Sequence, residues 1–450
     1  MQDGHCLIIR FVLNLDDRAV AAAHSVDPSR WLGLLDELML RVGARFRRVE
    51  PRRRARAFVL GLLAGLPRKN CWTLAVQAGE ASPDGMQHLL ERARWDADGV
   101  RDDVRDYVIE HLGDPGAVLV VDETGDVKKG TATAGVQRQY TGTAGKIENA
   151  QVAVYLTYAA PGGHALIDRE LYLPESWISD PARCQAAGIP ADARFATKPQ
   201  LAQAMIGRAA AAGVPFAWAA ADEAYGDNGP LREWLEGQQI AYVLAVSCHH
   251  QVPAGAGHTI RADRLAARLP ARAWQRLSAG AGAKGQRWYD WAWVGIGSAM
   301  PGHRWLLIRR SRHSGELAYY RCYCPHRVPL ATLVTVAGLR WTTEENFQAG
   351  KGLAGLDEHQ VRHWTPWYRW VTLAMLALAF LSVTAAAEHA QPPPPELIPI
   401  TRNEIAWLLE PLIAGPARDL RHRIRWSWWR RRHQYHARAC HYQRQAAHDP

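Results

Sequence analysis

Val118-Leu119-Val120-Val121 is a run of four branched apolar residues that leads straight into Asp122, Glu123, Thr124 and Gly125. Such a run suits a strand buried on both faces, and that kind of strand needs a sheet with helices packed over it. It therefore points to an α/β chain. The acid at its carboxyl end has two readings. Aspartate favours strand exits as a turn residue. Ligands also gather at the carboxyl ends of strands in sheets with crossover helices. Asp222 repeats the pattern in "PFAWAAADEAYGDN", where small and apolar residues again run into an acid and a turn. Two such acids on adjacent strands are placed to share a divalent cation, while either one alone is equally well a turn residue.

The chain has 450 residues, enough for two or three domains, and a formal net charge of +10. That excess of Lys and Arg suggests a polyanionic partner, nucleic acid or an anionic membrane. Its 7 Cys are scattered and odd in number, which fits free thiols in a reducing cytoplasm. For zinc, only Cys248-His249-His250 and Cys322-x-Cys324 have suggestive spacing. Residues 371–387 are an uncharged, mainly apolar stretch but short for a span, which needs about 20 residues. A buried helix of a soluble domain is the expectation there, with no membrane partner.

Along the chain, residues 1–30 lack a clear pattern. Residues 31–113 read as short helices with tight turns. Arg47, Arg48, Arg52, Arg53 and Arg54 cluster around Pro51, a helix-start residue. This composition suits a helical DNA-binding domain. From residue 114 the pattern changes to strands at 117–122, 151–159, 164–173, 216–222 and 241–246, with helices at 198–212 and 229–238. A mixed sheet covered by helices is expected over 114–390, with a β-rich insertion at about 247–303. The alternation of Trp288, Tyr289, Trp291 and Trp293 there suits an edge strand. Residues 391–450 comprise a Pro-rich linker and a basic tail containing Trp426, Trp428, Trp429, Arg430 and Arg431. Arginine interleaved with tryptophan suits phosphate binding plus stacking, although an amphipathic surface helix has a similar composition.

A third acid comes from "LRWTTEENFQAGKGLAGLDEH". On a helix advancing about 100° per residue, Arg340, Glu344 and Lys351 fall within about 40° of one another, whereas Glu345 lies about 140° away. Glu344 is thus the inward acid and Glu345 a structural or solvent neighbour, unless the face is only a surface ladder of charges.

These residues together resemble the DDE transposases of bacterial insertion sequences, in the group with a Tyr-x2-Arg-x3-Glu-x6-Lys signature. "RWTTEENFQAGK" is similar to that signature at Arg340, Glu344 and Lys351; "VVDETG" and "AADEAYG" resemble the first- and second-acid motifs. Two departures are visible: Ala337 stands in place of the signature tyrosine, and Asp126 stands where the family pattern has an apolar residue. The resemblance implies an RNase H-like catalytic domain with Asp122, Asp222 and Glu344 as catalytic acids. It also implies two Mg²⁺ ions, or Mn²⁺ in their place, held by those three acids. The expected activity is cleavage at the terminal inverted repeats of an insertion sequence and strand transfer into target DNA, by a dimer on double-stranded DNA in the cytoplasm at the nucleoid. The alternative is a transposase-derived DNA-binding regulator without catalysis.

Arg340 and Lys351 are expected to hold flanking phosphates. Lys128, Lys129, Arg138 and Lys146 suit a track for the DNA backbone. Trp288 and Trp291 are candidates to stack on an unpaired base.

Overall fold

The computed structural model describes residues 26–446, apart from 256–257, 283–284, 299, 391–397 and 414–419. Most of the expected amino-terminal extension, and the Pro-rich linker, lie outside the described residues.

Five helices come first: α1 (Pro28–Arg41), α2 (Val49–Leu63), α3 (Cys71–Gln77), α4 (Asp84–Glu91) and α5 (Ala97–Leu112). Their starts are written locally. Asp27 caps α1, Asn70 closes a capping box with Thr73 on α3, and Asp96 caps α5. Each side chain satisfies amide donors that the first helical turn leaves unpaired.

The sheet begins with β1 (Val118–Val127), β2 (Gln137–Thr141), β3 (Lys146–Ala160) and β4 (Gly163–Leu171). Helix α6 (Lys198–Ala211) leads to β5 (Trp218–Ala221), and α7 (Gly229–Gly237) leads to β6 (Ala241–Val246). β1 lies between antiparallel β3 and parallel β5, β6 follows in parallel, and β4 pairs with the far half of β3. The order β4-β3-β1-β5-β6, with β3 reversed against the rest of its central neighbours, is the RNase H-like sheet. β1 is longer than the expected 117–122 because its polar half, Glu123 to Val127, pairs with Val154 to Ala150 of β3. Burial by pairing there does not depend on an apolar run.

A small hairpin, β7 (Gln251–Gly255) and β8 (His258–Arg261), precedes a four-strand block: β9 (Gln275–Gly282), β10 (Gly285–Gly295), β11 (His303–Arg310) and β12 (Leu317–Cys324). This block continues the main sheet, because β12 pairs antiparallel with β6 and the order runs on through β11, β10 and β9. The inserted strands therefore run past residue 303 to Cys324.

Helices α8 (Leu330–Leu339), α9 (Trp341–Ala354), α10 (Trp364–His389), α11 (Arg402–Leu409) and α12 (Leu420–Ala446) complete the chain. By length and composition α10 is apolar enough to cross a membrane, yet 89% of its most apolar window is buried inside the protein. It packs against α2, α4, α5 and β4. Its Arg369 donates to the carbonyls of Leu89 and Leu90 and lies over Trp95. A helix apolar all round must be covered all round, and the amino-terminal helices supply that cover. Residues 31–113 thus share one hydrophobic core with β3, β4 and α10 and are not set apart as an independent body.

The tail helix is docked as well. Trp426 is only 2% exposed, its indole donates to the Glu80 carbonyl at 3.0 Å, and Trp429 packs edge-on against Trp72. Trp426 is therefore a packing residue and not a stacking surface for nucleic acid. Trp428, Arg430 and Arg431 face outward.

Candidate active site

Asp122 and Asp222 are brought side by side by register. Val121 pairs with Ala221 in the parallel β1–β5 ladder, so the next residue on each strand is an acid at the same edge. Asp222 also starts a short helical turn, Glu223–Gly226, by accepting the Ala224 amide at 3.0 Å. Gly226 permits that turn to lie on β6, since a Cβ there would run into the Ala245 carbonyl. Glu344 sits in the first turn of α9. All three acids line one cleft of about 960 Å³, together with Arg340 and Lys351.

The cleft is electrostatically tense around Asp122. Its carboxyl is buried, accepts the Glu123 amide at 2.8 Å, and faces the Arg340 guanidinium at 3.4 Å. Burial, then the neighbouring Asp222 charge, pushes its pKa up to about 7, with Arg340 opposing. Asp222 is also raised, by burial and then by Glu123. Glu123, which also lines the cleft, is held by Lys198 at 2.6 Å and by the Tyr225 hydroxyl at 2.5 Å.

The donors suit hard divalent cations. Carboxylate oxygens are what Mg²⁺ and Mn²⁺ select, and a cation would relieve the burial and repulsion that raise the Asp122 carboxyl. Among the described residues, Cys248, His249 and Asp263 form the grouping whose ligand atoms all lie within 4.8 Å of one another. Asp263 in that grouping is already held by Arg261 at 2.6 Å.

A pH dependence follows. In the metal-free fold Asp122 keeps a proton that the unfolded chain, with an ordinary aspartate pKa of about 3.9, has released. Its contribution to stability is full below about pH 4 and is lost as pH rises through about 7. Bound cation needs the deprotonated carboxylate, so Mg²⁺ should raise the melting temperature more at about pH 8 than at about pH 6. The Asp122→Asn variant should lose that difference. Equal Mg²⁺-induced shifts in the wild type at both pH values would contradict the assignment.

The other expected contact residues divide. Lys351 donates to Thr124 at 2.7 Å and Thr143 at 3.2 Å, neutral partners that leave its charge facing the cleft. Lys129, Arg138 and Lys146 are exposed, with Lys146 paired to Glu148 at 3.0 Å. Lys128 does not belong to a DNA track: it turns inward, 3.8 Å from Asp126 and 3.5 Å from the His359 carbonyl. Trp291 is likewise not a stacking residue. It is 1% exposed in the core between β10 and α8, and its indole donates to Leu277. Trp288, on the opposite face of β10, is 46% exposed with Arg276 over its ring, but lies outside the cleft lining. Glu345 pairs with His164 at 3.1 Å.

Sequence reasoning missed Arg287, Tyr289 and Arg309, which the sheet extension brings to the cleft wall. The period-two alternation around Trp288 marks the strand, but it cannot tell which face meets the cleft.

An RNase H-like sheet carrying paired acids at its strand ends, opposite an acid on a following helix, defines a class of metal-dependent nuclease folds. The model of the DDE superfamily endonucleases matches residues 41–293, more than half of the chain, and the chain belongs to that family. It is also similar to a protein described as a probable transposase for insertion sequence element IS701, from Microchaete diplosiphon. They are 30% identical over 194 residues, which is 43% of this chain and 48% of the relative. The chain thus matches about half the length of that curated relative. Among solved structures, a piggyBac transposase synaptic complex with hairpin DNA aligns over 86% of this chain and 80% of its own, with 11% identity and a TM-score of 0.42.

Proposed function

We propose that this protein is an insertion-sequence transposase that cuts the ends of its element and joins them to target DNA. The observation that carries the reading is the raised pair Asp122 and Asp222 at adjacent strand ends, in the same cleft as Glu344.

Asp122, Asp222 and Glu344 are the carboxylates that would hold the divalent ions in this cleft. Bound there, the ions supply an activated water and neutralise the charge on the leaving 3′ oxygen. Arg340, whose guanidinium lies 3.4 Å from Asp122 at the edge of the cleft, would hold a phosphate of the bound DNA. Lys351, anchored by two threonine hydroxyls, would hold a second phosphate and keep the scissile bond in line. Gel-resolved cleavage of DNA ends flanking the coding sequence, with purified full-length protein in Mg²⁺ or Mn²⁺, tests the reading. Absence of nicking at those ends under either metal would overturn it.

DNA affinity would come in part from α12 and from the exposed Arg47, Arg48, Arg52 and Arg53. Each phosphate contact contributes roughly 0.9 to the slope of log affinity against log salt. Replacing both Arg430 and Arg431 by alanine should therefore flatten that slope by about two, equally for cognate and random duplexes. A slope unchanged in a salt-titrated binding assay would take these arginines off the DNA.

A further inference from the structure

Strand β1 presents one face to α9 and to the turn that follows it. Asp122, Thr124 and Asp126 alternate along the strand and so share that face. Each meets a residue from the carboxyl-terminal part of the fold: Arg340 at 3.4 Å, Lys351 at 2.7 Å and His359 at 2.9 Å, in that order. The first two contacts border the cleft. The third lies outside its lining, in the interior.

There, the His359 side chain is wholly buried and its Nε2 donates to Asp126 Oδ2. Its Nδ1 has no partner among the described residues. An ionisable pair with an unsatisfied nitrogen is a costly way to fill a core; well-packed apolar residues often serve stability as well or better. The segment carrying His359 is otherwise firmly fixed. Gly355 ends α9 in the left-handed conformation, at φ 61°, and its carbonyl accepts from the Trp370 indole at 2.9 Å. Glu358 accepts the Lys69 amide, and the Lys69 ammonium donates to the Leu353 carbonyl, both at 2.5 Å. This anchored turn is thus tied through His359 to the strand that carries the first acid.

We propose that Asp126 and His359 form a latch that sets the position of α9 along β1, and through it the placement of Glu344 relative to Asp122. Both are positioning residues: neither touches the cleft. The inference rests on the reading of the cleft as a divalent-metal site.

Mn²⁺ binding to the full chain, followed by electron paramagnetic resonance of the free ion well below the melting temperature, tests the latch. Groups that orient metal ligands from outside typically change affinity 10–100-fold. Asp126→Ala and His359→Ala should each weaken Mn²⁺ binding about tenfold, the lower end of that range. Asp126→Asn keeps an oxygen to accept from His359 and should stay within about twofold of wild type. The double alanine variant should bind no more weakly than the worse single one, as for two halves of one contact. Both alanine variants folded, with Mn²⁺ affinity within about twofold of wild type, would reduce the pair to core packing and overturn the latch. If alanine variants fail to fold, Asp126→Glu lengthens the latch by one methylene and should weaken binding severalfold; unchanged binding then overturns it. Asp122→Ala separates the two levels. If it leaves Mn²⁺ binding intact, the cleft is not the metal site and the functional reading fails. If it abolishes binding while the latch variants do not weaken it, the latch alone fails.

Discussion

Asp122→Ala, Asp222→Ala and Glu344→Ala should each lower end cleavage by roughly a thousandfold or more, because the metal-held charge stabilisation they support is worth several kcal/mol. DNA binding should persist, since the exposed arginines proposed to supply it do not line the acid cleft. Asp122→Ala should be the most severe, as its carboxyl is the buried one that faces both Asp222 and Arg340. It should also stabilise the metal-free protein above about pH 7, where the buried carboxylate is forced to ionise beside Asp222. Glu345→Ala should retain most activity, because its carboxylate is committed to His164. Single-turnover cleavage with saturating end DNA, beside melting curves with and without Mg²⁺, reads all of these effects. Near-normal turnover in any one of the three would remove that acid from the site. An essential Glu345 with a dispensable Glu344 would reverse the assignment on α9.

Lys351→Ala should slow cleavage by about 100-fold while changing affinity little, because a misplacement of about 1 Å near the scissile bond has that cost in rate. The side chain is not loosely disposed on the surface: Thr124 and Thr143 hold its ammonium at the cleft without neutralising it. Arg340→Ala should reduce cleavage comparably but carry a second signature. Loss of the guanidinium removes the group that favours ionised Asp122, so the pH at which Mg²⁺ begins to stabilise the fold should move upward. Lys351→Ala should leave that pH unchanged, as it does not contact Asp122. If both residues served only to brace the helix, the variants would melt lower and cleave normally. Cleavage rates across pH, measured alongside the melting curves, distinguish the two cases.

The positions of the candidate acids were legible because their signals are local, while their catalytic reading came from the resemblance to transposases. A branched apolar run ending in an acid specifies a strand and the residue at its exit, and helical phase separates Glu344 from Glu345 without reference to anything distant. The strand at 241–246 and the helix from Lys198 were legible for the same reason, as period and capping are short-range properties. Tertiary structure decided what depends on contacts far apart in sequence. Alternation alone could not say which face of β10 is covered, and α8 packing over it buried Trp291 while leaving Trp288 outside. Lys128 looked like part of a basic track, but Asp126 and the distant His359 draw it inward. The amino-terminal helices looked like a separate domain, but the all-round apolar surface of α10 needs them as cover. Backbone pairing extended β1 through Glu123 to Val127 and joined β12 to β6, and hydrogen-bonded ladders accept polar side chains that no hydrophobic pattern announces. What the sequence by itself determined is the identity and order of the acids; their meeting in one cleft, and the partners that hold them there, come from the sheet register and from packing across the whole chain.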